Sequence, residues 1–226
     1  MCGRFRVARS KEILEEAFDA DGESLDWVPR YNVAPGQMIA VVRQDAAQPV
    51  RRFAQLRWGL IPSWMNDPSV GYKMINARSE TVSAKPAFRE LMRTRRCLIP
   101  ADGFYEWKRV GKEKLPFCFT LTDEPVFALA GLWERWKSPQ GPVIESCTIL
   151  TAAANELMCD IHDRMLVILG RDAYDLWLDP GFNRVDELRP LLRPYAADAM
   201  RRYRVSQRVN QVKNDDAECA AEIDAA

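Results

Sequence analysis

The second residue of the chain is a cysteine, Cys2, followed by Gly3-Arg4-Phe5. Cysteine is small enough for the initiator Met1 to be trimmed. Cys2 would then carry a free α-amine and a thiol two carbons apart, and both groups can attack the same aldehyde carbon. The amine forms a Schiff base, the thiol adds to it, and a five-membered thiazolidine closes. An α-amine titrates near ~7.7–8.0 and a lysine near ~10.4, so close to neutral pH a sizeable fraction of α-amines is unprotonated, against about one lysine in a thousand. The tethered thiol meets the imine without a second encounter, an advantage of about 10⁵ M or more in effective concentration when the geometry is right. Alone, Cys2 also fits an ordinary N-terminus.

Three further polar residues sit in frames that can tune them. Glu106 lies in Phe104-Tyr105-Glu106-Trp107, where strand alternation puts Tyr105 and Trp107 on one face and Glu106 beside Phe104 on the other. If that second face is the core side, the carboxyl pKa rises and Glu106 can move protons near neutrality; on the solvent face it is a cross-strand charge. His162, the one histidine of the chain, stands in Ile161-His162-Asp163-Arg164-Met165 and suits either an acid–base role or a structural one. Asn76 precedes Ala77-Arg78 and can orient an amine or a sugar oxygen, or form a turn. Arg4, Arg78 and Arg164 each follow one of these candidates by two residues, and arginine is suited to bidentate phosphate binding. Trp58, Trp64, Trp107 and Tyr72 offer stacking faces for unpaired bases, or core.

These residues need a scaffold, and 226 residues with 47% hydrophobic and 28% charged content can build one sizeable core. No apolar run approaches the ~20 residues of a membrane span, and no apolar leader follows the N-terminus. A cytoplasmic protein, nucleoid-associated when bound to DNA, is expected. Six scattered cysteines without a C-x-x-C read as reduced thiols. Cys159-x-x-His162 is the nearest approach to a metal pattern and lacks a partner pair, so neither metal nor organic cofactor is expected. Net charge is zero: residues 1–100 hold 16 Lys+Arg against 11 Asp+Glu, leaving 16 against 21 in the remainder. A polyanion would therefore need a local groove of chosen arginines.

The spacing of Ile13, Leu14, Ala17 and Phe18 behind Ser10 predicts an amphipathic helix over 10–20. Strands are expected over 39–43, 52–61, 97–101, 104–108, 117–122, 126–133 and 146–151. Helices are expected over 85–94, 155–161, 171–178, 185–192 and 194–202, with a strand over 204–209 and a tail that frays by about 220. The reading is one α+β domain over 1–226, with a strongly curved, barrel-like antiparallel sheet and flanking helices.

Together with Met1–Phe5, the blocks Tyr31-Asn32-Val33-Ala34-Pro35, Arg57–Trp64, Asn76–Thr81, Arg96–Trp107, Thr148–Asn155 and Ile161–Met165 resemble the SRAP family, the SOS-response-associated peptidase domain. Val209-Asn210 and Asn214-Asp215 are similar to the family's last motif, and Leu166 departs from it by replacing a usual proline. The resemblance implies a protein that covalently captures abasic sites in single-stranded DNA. On it, Cys2 matches the crosslinking nucleophile, Asn76, Glu106 and His162 the residues that assist, and Arg4, Arg78 and Arg164 phosphate contacts. Trp64, Trp107 and Thr151 fall in matching motifs as further DNA-groove candidates. A cysteine-dependent peptidase and a reversible DNA-binding module are the alternatives. A monomer is expected, and replication-fork partners are left open.

Overall fold

The computed structural model describes residues 2–23, 25–45, 49–138 and 141–223. Met1, whose removal the sequence anticipates, lies outside the described residues, as do residues 224–226 of the expected frayed tail. Among the described residues there are thirteen strands: β1 Phe5–Val7, β2 Arg30–Val33, β3 Met38–Gln44, β4 Arg51–Trp58, β5 Asn76–Arg78, β6 Arg96–Ala101, β7 Gly103–Val110, β8 Glu113–Leu121, β9 Phe127–Lys137, β10 Val143–Ala153, β11 Arg164–Leu166, β12 Ile168–Leu169 and β13 Met200–Arg204. The α-helices are short: α1 Lys11–Phe18, α2 Pro86–Arg89, α3 Leu91–Thr94, α4 Tyr174–Leu178 and α5 Val185–Leu188.

Strands β10, β4, β3, β6 and β9 pair in that order, and β9 pairs back onto β10, which closes a five-stranded barrel. Closure leaves no free edge, and Trp58 with most aliphatic residues of β6, β9 and β10 is buried in the core. The second sheet runs β13-β8-β7-β1-β2. Curvature and mixed class are as expected, but the sheets are not wholly antiparallel. β4 and β5 both run parallel to β10, at Ser146↔Arg57 and at Ile149↔Asn76. The chain can make this return because residues 59–75 fold back as a connection. It starts at Gly59, φ 129°, where a Cβ would come within 2.7 Å of the Gly71 carbonyl oxygen.

Helix α1 ends at Asp19 in the left-handed conformation and buries Leu14 and Phe18. Three expectations fail. Residues 155–161 form hydrogen-bonded turns instead of a helix, because Ala154 N–H reaches across to the Asp163 carbonyl at 3.0 Å and pinches the segment too short. Residues 194–202 give a 3-10 turn and then β13, whose pairing with β8 from Met200↔Leu121 to Arg204↔Phe117 overrides the local helical pattern. The strand expected over 204–209 stops at Arg204, and Gln207–Asn210 is a 3-10 turn. The tail is also tied further than expected, with Ile223 N–H on the Arg204 carbonyl at 3.0 Å. Among the described residues, no helix is long and apolar enough to cross a membrane.

Candidate active site

Strand β1 enters the second sheet between β2 and β7, with Phe5↔Phe104 in register and Tyr105 N–H on the Arg4 carbonyl at 3.0 Å. This pairing lays the N-terminal residues along β7 and brings Cys2 to Glu106. Alternation divides β7 as the sequence implies. Phe104 belongs to the main core, which also holds Cys2; Tyr105 belongs to a second cluster, with Trp107 packed against it. His162 arrives from the other sheet. β10 pairs with β11 (Thr151↔Leu166, Ala153↔Arg164), so the loop just before β11 carries the imidazole to the same corner. Leu166, the departure from the family pattern, is fully buried in β11.

The Cys2 sulfur, a Glu106 carboxylate oxygen and a His162 ring nitrogen all lie within 4.8 Å of one another. Cys2 is fully buried and Glu106 is 4% exposed. The Cys2 thiol donates to the Arg164 carbonyl at 3.5 Å. Burial first, then the neighbouring Glu106 carboxylate, push this thiol well above the usual range, with Arg164 opposing. Burial likewise raises the Glu106 carboxyl, against the lowering influence of the Cys2 thiol and His162. Glu106 Oε1 is buried with no hydrogen-bond partner. The His162 Nδ1 lies 2.9 Å from the Arg164 N–H and 3.1 Å from the Arg164 carbonyl, so either neutral tautomer finds a backbone partner.

Asn76 sits on β5 opposite Ile149, with its amide 3.5 Å from that carbonyl and its Oδ1 buried without a partner. Thr151, buried on β10, pairs with Arg78 on one side and Leu166 on the other. Arg164 is held by both oxygens of Glu80 at 2.6 and 2.9 Å and by the Thr151 carbonyl at 2.6 Å. Arg4 is engaged too, by Asn32 Oδ1 and the Val209 carbonyl, both at 2.7 Å. Arg78 is exposed, as is Trp64 at 63%. Of the arginines expected to face phosphate, Arg4 and Arg164 are thus tied within the fold. Trp107 donates to Asn210 Oδ1 at 2.6 Å and packs beside Arg4.

A cleft of about 530 Å³ opens over this corner, floored by Glu106 and His162 and walled by Arg4, Trp107, Arg109, Lys114 and Asn210. Three cationic side chains against one buried carboxyl suit a polyanion. Sequence reasoning passed over Arg109 and Lys114. They face each other across the β7–β8 hairpin, and the available signal was Arg109 two residues beyond Trp107, on the same face of an alternating strand. It also passed over Glu80 as the partner of Arg164, which no local pattern reveals.

The family model of the SOS response associated peptidases (SRAP) matches residues 1–212. The abasic site processing protein YoaM of Bacillus subtilis is 48% identical over 221 residues, 96% of each chain. The abasic site processing protein HMCES of Xenopus tropicalis is 34% identical over 90% of this chain and 69% of its own length. A crystal structure of a Bacteroides thetaiotaomicron protein superposes with a TM-score of 0.88 at 24% identity, covering 98% of this chain and all of that one, and shares the fold.

Proposed function

The chain belongs to the SRAP family, and from that premise we propose that it captures abasic sites in single-stranded DNA covalently, through Cys2 once Met1 is gone. The carrying observation is the meeting of the Cys2 thiol, Glu106 and His162 within 4.8 Å, beneath a cationic cleft. The relatives named abasic site processing proteins support the same lesion as substrate.

The opened abasic sugar presents an aldehyde at C1′. The neutral α-amine of Cys2 adds to it, and its nitrogen passes a proton to the carbinolamine oxygen through Glu106 or His162. Loss of water leaves the imine. The Cys2 sulfur then adds to the imine carbon, its proton moves to nitrogen, and the thiazolidine closes. One water leaves overall, and no oxidant or metal takes part. Asn76, with a buried unpaired amide oxygen, orients the amine or the sugar. The ring has no imine left for easy hydrolysis, so the lesion is shielded from strand cleavage. Arg78, Arg109, Lys114 and the exposed Trp64 carry the flanking strand, with Arg4, Arg164, Trp107 and Thr151 forming the wall behind it.

A cysteine peptidase acting on other proteins would need a thiolate. Here burial and Glu106 hold the thiol protonated, which favours attack by the amine first and sulfur second. The experiment is a denaturing gel of the mature protein with an oligonucleotide carrying one abasic site. An SDS-stable adduct is expected with wild type and none with Cys2→Ala; the same adduct with Cys2→Ala rejects the reading.

A further inference from the structure

We propose that the Cys2, Glu106 and His162 corner also binds a thiophilic divalent cation such as Zn²⁺, and that cation and abasic sugar compete for it. Sulfur, carboxylate oxygen and imidazole nitrogen come from three separate parts of the chain and converge within 4.8 Å. A tetrahedral zinc with bonds of about 2.0–2.3 Å holds its ligands roughly 3.3–3.8 Å apart, so a modest inward rotation of side chains completes the set. Glu106 is the second, independent pointer. Its side chain is 4% exposed, yet Oε1 has no hydrogen-bond partner, a cost that a bound cation removes.

The charge of a dication complements the sulfur and carboxylate ligands that the fold brings together. The step is Cys2–SH plus M²⁺ giving M²⁺–S–Cys2, with the proton released to solvent and no change of oxidation state. Thiolate and imidazole select Zn²⁺, Cd²⁺ or Co²⁺ over Mg²⁺ or Ca²⁺. The Arg164 peptide steadies the ring at Nδ1, at 2.9 Å from its N–H and 3.1 Å from its carbonyl, as outer-shell partners of metal-bound histidines do. The fourth position takes water or, on the reading that Met1 is lost, the Cys2 α-amine, which closes a five-membered chelate with the sulfur. The more obvious sequence spacing, Cys159-x-x-His162, contributes no sulfur: Cys159 is exposed and its thiol is turned to the Glu156 carbonyl at 3.4 Å.

Co²⁺ titration of the mature, DNA-free protein tests the site. Wild type is expected to give the near-ultraviolet sulfur-to-cobalt band with tetrahedral visible bands, and Zn²⁺ to bleach both. Cys2→Ser should lose the band, Glu106→Gln and His162→Gln should bind at least about 10-fold more weakly, and Cys159→Ser should match wild type. Far-ultraviolet circular dichroism confirms that each variant is folded. A band that survives Cys2→Ser, vanishes in Cys159→Ser, or never forms overturns the site. Zn²⁺ should slow crosslinking of an abasic oligonucleotide in proportion to occupancy, and a chelator should restore it; crosslinking at full rate with Zn²⁺ saturating overturns the competition. A protein that gives the cobalt spectrum but never crosslinks refutes the crosslinking reading and leaves the metal site standing.

Discussion

The two faces of β7 make opposite use of polar groups. On the Tyr105–Trp107 face, residues 207–216 cross the sheet as a strap in which the buried polar atoms have partners. Asn32, itself fully buried, donates to the carbonyls of Val209, Gln211 and Asn214 at 3.1, 3.1 and 2.7 Å while accepting from Arg4 at 2.7 Å. Asp215 takes the N–H groups of Tyr31 and Asn32 at 2.6 and 2.8 Å, and pairs with Arg30. The Tyr105 hydroxyl donates to the Tyr31 carbonyl at 2.7 Å. On the Glu106 face, Oε1 of that residue is buried with none, and Asn76 Oδ1 on β5 shares that condition. Completed networks fix structure, and orphaned buried oxygens mark where a ligand is expected to complete them. The strap holds the N-terminal strand still; the opposite face uses its end.

The contrast can be broken or sharpened by substitution. Glu106→Gln is expected to slow crosslinking by about 10²-fold or more, the usual worth of a general acid–base, with DNA affinity kept. Because burial holds the Glu106 carboxyl above its ordinary range, ionising it costs more in the folded protein than in the unfolded chain, a cost that grows as pH rises, and the same variant should melt a few degrees higher. An unchanged rate would move Glu106 to the structural side. Asn32→Ala should do the reverse and cost about 2 kcal/mol, since it takes a donor from three carbonyls and an acceptor from the Arg4 guanidinium. At about 2–4 °C per kcal/mol for a chain of this size, that is visible in a melt; a loss under about 1 kcal/mol would deny the strap its role. Arg78→Ala, on an exposed side chain, should leave Tm in place, weaken DNA binding modestly and lower the salt slope by about 1. A slope identical to wild type removes Arg78 from the DNA path.

Much of this was legible because its signals are local. Ser10 with the 3.6-residue spacing behind it announced α1, and β-branched and aromatic runs announced β3, β4, β6, β7, β8, β9 and β10 to within a few residues. Alternation around Glu106 told its two faces apart. The misses are non-local. Leu157, Met158 and Ile161 keep a helical period, but the loop is pinched between Ala154 and Asp163 and held by the Asn155 amide on the Tyr195 carbonyl at 2.8 Å. β13 exists because β8 offers an edge, not because Arg-Arg-Tyr-Arg prefers extension. Asn32 acts on backbone carbonyls some 177–182 positions away, and Glu80 meets Arg164 across 84; no spacing rule carries such contacts.

The central claim, that a chain end bearing nitrogen and sulfur together closes on a sugar carbonyl, is tested most directly by the intact mass of the product formed with an abasic oligonucleotide. The expected mass is the sum of the two components less one water, with Met1 absent and the modification mapping to Cys2. A product that retains Met1, or that carries the sugar on any other residue, contradicts it.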